Sequence, residues 1–281
     1  MSTFVKEGTN IKKIINYLYI SIIPLLIFGF YKNGIKSYSG ILMFHPLALD
    51  LIGFISGVLV SIILEKKKPF ESFYPLYGLL SASLIFPNTS LIIFGIICFI
   101  SLFIYKKIGK NSVNIVCVIS LIVILISNFY EPSYLKIAIN NNINLDGLDY
   151  LLGKGSAGLN ASCTLLALIS YAYLSSKPFY KREIPLYSFL VYSILMVIYL
   201  SFIGDINSLF VRLLSNGTIF SLVFISTMGT TSSHTYRGRI CYSFILGILM
   251  FALSFGFPSL AVISAIFLVS IMHKYIDKLL K

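Results

Sequence analysis

Along most of the chain, apolar residues run almost unbroken for 16 to 20 positions and then give way to short polar or charged clusters. Runs of that length suit helices crossing a hydrocarbon core ~30 Å thick, at a rise of ~1.5 Å per residue. The pattern predicts ten membrane segments, at roughly 14–30, 46–64, 76–86, 90–105, 113–129, 157–174, 184–203, 213–228, 240–256 and 259–273. Two of the ten are too short to span. Leu76 to Phe86 would cover about 16 Å, and the apolar part of the eighth segment, Thr218 to Ile225, is shorter still. Each opens near a glycine (Gly78, Gly217), carries serines (Ser81 and Ser83; Ser221 and Ser226) and runs into a polar break. The first break is "FPNTS", with Asn88 and Thr89. The second is "STMGTTSS", with Ser226, Thr227, Thr230, Thr231 and Ser232.

The short segments are the third of the first five and the third of the second five. Five is odd, so two such halves lie in opposite orientations. The expected fold is an all-α polytopic membrane protein, a single integral domain over 1–281. It is built from two inverted five-segment repeats, 1–130 and 156–281, joined by an external loop at 131–155. A helix that stops inside the membrane leaves terminal N–H or C=O groups that hydrocarbon cannot satisfy. Such ends survive when buried in protein or lining a polar cavity, where their partial charges suit an anion, a phosphate or a cation. Paired interrupted segments in inverted halves point to a central binding site, whereas a plain re-entrant packing hairpin is the alternative for either one.

Composition agrees with the pattern. The chain has 281 residues, is 57% hydrophobic and 11% charged, and has a mean hydropathy of +0.90, too little polar surface for a soluble domain of this size. The formal charge of +12 would suggest nucleic acid in a soluble protein. Here the basic residues sit at segment ends and orient the chain in a lipid bilayer, and no nucleic-acid partner is expected. With the N-terminus cytoplasmic, 17 of the 22 Lys and Arg fall inside, and only Lys32, Lys36, Lys136, Lys154 and Arg212 fall outside. Both termini are therefore expected in the cytoplasm. The first apolar run, Ile14 to Phe30, lacks a small-residue cleavage site, so no secretory signal is expected. Cys98, Cys117, Cys163 and Cys241 all lie in apolar runs without CxxC spacing and read as core hydrophobes, with no metal site. Trp is absent, so tyrosines such as Tyr74, Tyr77, Tyr105, Tyr130 and Tyr180 are expected to form the interfacial belt.

Among single residues, Asp50 in "HPLALDLIG" is an ionisable group close to an apolar run and a candidate for an ion pathway. The competing reading places it hydrated at the interface, paired with Lys32 or Lys36. His45 precedes Pro46 and reads as a chain break or cap, with a proton-relay role as the alternative. Arg237 and Arg239 flank Gly238 beside the second break. A close arginine pair can grip a phosphate, and the same pair also serves as topogenic charge. His234, Glu131, Asp146, Asp149 and Asp205 read as solvent-facing. No P-loop, GxSxG, HExxH or Rossmann GxGxxG is present, so the chain carries no independent catalytic motif, and any redox chemistry would come from a bound cofactor.

The C-terminal third, "LLSNGTIFSLVFISTMGTTSSHTYRGR" followed by "ICYSFILGILMFALSFGFPSLAVISAIFLVSIMHKYID", resembles the end of the RnfD/NqrB family. These are membrane subunits of ion-translocating, flavin-containing electron-transport complexes. In that family a small-residue half-helix is followed by a "T-D-P-x-T-S-P" break, then "x-x-R-G-R" and two closing spans. Upstream, "LLGKGSAGLNASCTLLALISYAYL" before "KPFYKREIP" resembles the family's Gly/Ser-rich entry into its sixth span. "LYGLLSASLIFPNTS" resembles its first half-helix, and "GKNSVNIV" its Asn-Pro element. The departures are specific. The Asp-Pro of the break is Met228-Gly229 here, and the Asn-Pro element is reduced to Asn111 and Asn114. Many members carry an "S-G-A-T" motif whose Thr bears FMN, in a long loop after the fifth span. The loop here, "YEPSYLKIAINNNINLDGLDYLLGKG", has no threonine, so covalent FMN is not expected.

The resemblance implies a bacterial cytoplasmic (inner) membrane protein working beside other membrane subunits of an electron-transport complex. It would hold FMN or riboflavin non-covalently, or keep the scaffold with a different cargo. The cofactor-contacting positions so implied are Ser81, Ser83, Asn88, Thr89, Ser226, Thr227, Thr230, Thr231, Ser232, Arg237 and Arg239. A small-solute channel or transporter on the same inverted-repeat scaffold, without a redox cofactor, is the second reading.

Overall fold

The structure, a computed structural model, describes residues 11–66, 68–108, 113–130, 147–155 and 157–279. Lys6, Lys67, Lys110, Asn111, Glu131, Lys136, Asp146, Lys281 and most of the expected external loop lie outside the described residues. The described chain is helical, in the order α1 (Ile11–Phe30), α2 (His45–Val60), α3 (Tyr74–Leu84), α4 (Leu91–Ile108), α5 (Ile115–Tyr130) and the short α6 (Gly147–Leu151). Then follow α7 (Thr164–Ser175), α8 (Glu183–Ile203), α9 (Leu209–Leu214), α10 (Thr218–Phe220), α11 (Tyr236–Gly256) and α12 (Ala261–Leu279). Among the described residues, five stretches are long and apolar enough to cross a membrane: Ile11–Ile35, Gly40–Glu65, Glu183–Ile203, Ile206–Ile225 and Tyr236–Gly256. Ile115–Phe129 and Thr164–Ser175 are shorter apolar helices. Their outer faces expose Ile27, Ile62, Phe129, Phe202 and Ile248, as a lipid-facing surface does. The chain is an all-α, multi-pass membrane protein.

α3 is buried on every face, which suits a short helix that is apolar all round. Small residues let it in. Gly53 and Gly57 of α2, spaced as in a GxxxG contact, face Gly78, Tyr74 and Pro75 of α3. A Cβ on Gly78 would sit 1.9 Å from the Gly53 carbonyl oxygen, and one on Gly57 would sit 2.2 Å from that of Tyr74. Backbone therefore meets backbone along this crossing.

The second short segment is less regular. α9 ends at Leu214, and Asn216 and Gly217 take left-handed conformations (φ 57° and 67°) that kink the chain. Asn216 is anchored there by Nδ2 donating to the Pro258 carbonyl at 3.1 Å. The chain then resumes as α10 and finishes in a wide π-turn, Ser221–Ile225, all of it buried.

Polar contacts sort the helix ends into two sets. At one end of the bundle, Lys106 pairs with Glu65 at 2.6 Å and Arg239 with Glu183 at 3.1 Å, and Ser233 donates to Asp277. At the other, Lys32 donates to the Gly155 carbonyl at 2.5 Å, Asn33 to Leu159 at 2.6 Å, and the Tyr38 hydroxyl to Asn88 at 2.5 Å.

Three sequence expectations change. The eighth segment, expected from 213 and too short to span, is the second part of Ile206–Ile225, a stretch long and apolar enough to cross a membrane but kinked at Asn216 and Gly217. The sixth segment, expected from 157, becomes helical only at Thr164, because residues 158–161 stay unwound to hydrogen-bond the end of α3. The tyrosines expected at the interface are partly internal. Tyr74, Tyr77 and Tyr180 are buried, because each lies where a short segment leaves space and polar groups to satisfy.

Candidate functional site

The predicted site residues separate into two polar nodes, one at each helix break. Both breaks follow a helix C-terminus, so each presents unpaired carbonyls and the negative end of the helix dipole.

The first node closes α3. The Ser83 carbonyl accepts from the Asn160 backbone N–H at 3.2 Å, and the Ile85 carbonyl from that of Leu159 at 2.8 Å. The Asn160 side chain continues the cap, with Nδ2 donating to Ser83 Oγ at 3.1 Å and to Asp50 Oδ1 at 2.8 Å. Ser81 and Ser83 donate back to Tyr77 and Leu79 carbonyls one turn earlier, and Thr89 Oγ1 donates to Phe86 at 2.7 Å. Gly158 permits the approach, since a Cβ there would meet the Leu84 carbonyl oxygen at 2.6 Å. Asp50 is buried at 7% exposure and, among the described residues, makes no ion pair. Lys32 is turned to Gly155. Asn88 lies apart from these groups, against Tyr38.

The second node closes the π-turn after α10. Asn114, just before α5, donates through Nδ2 to the Ile225 carbonyl at 3.0 Å and to Thr231 Oγ1 at 3.3 Å. The Tyr180 hydroxyl donates to the Val223 carbonyl at 2.9 Å and also reaches Thr227. Ser226 and Thr227 donate to the Leu222 and Val223 carbonyls at 2.6 and 2.8 Å. Thr230 meets the hydroxyls of Tyr77 and Tyr105, which come from α3 and the end of α4. Lys181, on the loop between α7 and α8, is only 5% exposed and donates from Nζ to Ser232 O at 2.9 Å and Ser232 Oγ at 2.7 Å. Burial, with the like charge of Arg239 added, brings its ammonium down to about 7 against the pull of Asp277.

The N-terminus of α11, the expected phosphate position, is already served by protein. Thr235 Oγ1 caps Gly238 N–H at 3.1 Å. The Asp277 carboxylate accepts from the His234 and Thr235 backbone N–H groups at 3.0 and 3.3 Å. Arg239 is held by Glu183, and Arg237 is exposed.

Thus Ser226, Thr227, Thr230, Thr231 and Ser232 gather at one node, and Ser83 meets Asp50 through Asn160 at the other, while Ser81 and Thr89 donate to carbonyls of their own segment. Tyr77 reaches Thr230, but Ser83 lies six residues further along α3, about 9 Å down its axis. The nodes are therefore separate. Sequence reasoning missed Asn160, Tyr180, Lys181 and Asp277. Asn160 lies in a Gly/Ser-rich entry, and in sequence Lys181 reads only as a loop charge.

Among known protein families, the chain matches the NQR2, RnfD, RnfE family over residues 1–281. No curated protein matches it. A match that spans the whole chain, on an all-helical membrane fold, means that this protein belongs to the NQR2, RnfD, RnfE family.

Proposed function

We propose that the chain serves as a membrane subunit of an Rnf/Nqr-type electron-transport complex, holding a flavin non-covalently at the second node and supporting electron transfer coupled to ion movement. The observation that carries this reading is the family match over the whole chain. The node is suited to one part of the cofactor. Thr227 and Thr230 are half-buried beside Met228 and Gly229, with the Tyr77, Tyr105 and Tyr180 hydroxyls around them. Such hydroxyls can donate to and accept from the polar edge of an isoalloxazine, and tyrosine faces can pack its rings. The phosphate of FMN is less well served. Lys181 and Arg239 are engaged and Asp277 fills the α11 N-terminus, so of the two arginines expected to meet a phosphate only the exposed Arg237 could do so. The residues thus fit riboflavin, or an FMN whose phosphate extends toward Arg237. When bound, the flavin supplies one- and two-electron redox chemistry. The protein's own part is to seat it, exclude water and keep the break rigid through Asn114 and Tyr180.

The test is a visible spectrum of the purified protein before and after acid precipitation. Flavin released to the supernatant is expected, and Thr230→Ala should lower the flavin retained severalfold without changing the melting temperature. Flavin remaining with the pellet would show covalent attachment. A colourless protein that conducts solute in liposomes would instead establish the channel reading.

A further inference from the structure

At the end of the bundle that holds the Lys106–Glu65 and Arg239–Glu183 pairs, Lys106, Lys181 and Arg239 each meet an oxygen of the protein. Lys177, on the loop after α7, differs. It is half-buried, yet among the described residues its ammonium meets no carboxylate and no carbonyl. Two rings hold it instead. Its Nζ lies 4.9 Å from the ring centroid of Tyr17 on α1 and 4.7 Å from that of Tyr173 on α7. Phe179 stacks on Tyr17 at 6.0 Å, and Tyr17 meets Tyr173 edge-on at 6.4 Å. Ring faces attract the charge without neutralising it, so the ammonium is fixed in place with no described group of opposite charge. Glu183, the acid nearest to it in sequence, is held by Arg239. Lys13 is exposed on α1 one turn before Tyr17, on the same face, and adds a second positive charge.

The seam below these cations is apolar. α1 and α7 are joined there by Ser170 Oγ donating to the Ser21 carbonyl at 2.7 Å. Ile20, three residues after Tyr17, is 53% exposed, and Ile169, four residues before Tyr173, is 57% exposed. Each helix thus carries a ridge from an aromatic ring beside the ammonium into the lipid-facing surface. We propose that the α1–α7 seam binds one anionic phospholipid, with its phosphate between Lys177 and Lys13 and its acyl chains along Ile20 and Ile169. A phosphate supplies the charged oxygens that the Lys177 ammonium lacks, and basic sites between membrane helices take such headgroups. Free phosphate has the same oxygens, but nothing in it would cover the two isoleucine ridges.

The full chain, stripped of lipid in a neutral detergent, is melted with added phosphatidylglycerol, phosphatidylcholine or inorganic phosphate, and bound lipid is counted by native mass spectrometry. Phosphatidylglycerol should raise the melting temperature saturably, by about 3 °C or more over phosphatidylcholine, with one lipid retained per chain. Phosphate alone should leave it unchanged. Lys177→Gln should weaken lipid binding at least tenfold and Lys13→Gln by a smaller factor, whereas Lys278→Gln, at an exposed lysine on α12, should have no effect. If Lys177→Gln does not fold, the contrast between Lys13→Gln and Lys278→Gln still decides. Equal losses in those two would reduce the effect to general surface charge and overturn the proposal. So would a protein that does not prefer phosphatidylglycerol to phosphatidylcholine, or one that responds as strongly to phosphate alone. Binding of poly-glutamate in place of the lipid, lost in Lys177→Gln, would assign the seam to an acidic protein partner and overturn the proposal as well.

Discussion

Asn114 donates to three partners from one position. Its side chain donates to Ile225 and Thr231, while its backbone N–H donates to Ser270 Oγ at 3.1 Å. Removing the amide leaves a buried helix-end carbonyl without that donor, so Asn114→Ala should cost about 1–3 kcal/mol. Thermal unfolding in detergent checks this, and a variant as stable as the parent would show that the cap is dispensable. Lys181 gives a pH signature. Its folded-state pKa, about 7, lies below the ordinary lysine value, so between the two the unfolded chain binds more protons. Stability should therefore rise as pH climbs from about 7 toward about 10 and be flat below 7. Lys181→Met should flatten that slope when melting temperature is followed against pH. At this scale the hydroxyl-rich breaks were legible in sequence, because serines and threonines in hydrocarbon stand out. Their partners were not. Asn160 caps Ser83 from 77 positions away, and spacing along a chain does not reveal such a pair.

The breaks in α3 and after α10 were foreseen from Gly, Pro and Ser, and their bounds came within a few residues. What the pattern could not give was how deeply α3 is enclosed, since a run apolar on all sides carries no periodicity to orient it. The late start of α7 was hidden for a related reason. "SAGLNASC" is apolar enough to extend a span, and only its contacts with Ser83 and Ile85 keep it unwound. The α2–α3 crossing makes a sharp prediction. Gly78→Ala places a methyl against backbone that cannot yield locally, and overpacking of this kind costs about 1–3 kcal/mol or more. Gly256→Ala, where nothing lies within 4 Å, should change stability by under about 0.5 kcal/mol. Equal losses in both would show that helix–helix separation at Gly78 is larger than described.

For the whole molecule, the basic residues predict which helix ends face the cytoplasm, and the polar contacts among the described residues link helix ends in two groups. Cysteine labelling can test the assignment, because Cys98, Cys117 and Cys163 are buried and Cys241 is half-buried. Lys107→Cys, Arg237→Cys and Lys278→Cys should react with an impermeant maleimide from one side, and Lys36→Cys and Asp205→Cys from the other. Position 237 reacting together with position 36 would break the two-sided arrangement. The all-α multi-pass class was the most legible level in sequence, since runs of apolar residues declare a span without any distant partner.

The two breaks are closed by strands of chain made at very different times. The end of α3 waits for Leu159 and Asn160, whereas the turn after α10 is met by Asn114, already in place. During synthesis the first break therefore leaves the ribosome with its carbonyls unserved while some 75 further residues are added. Until then it must be sheltered by water, lipid headgroups or an insertion chaperone. Neither portion of the chain can mature by itself, and a gene split between them would yield two pieces that must meet before either is finished.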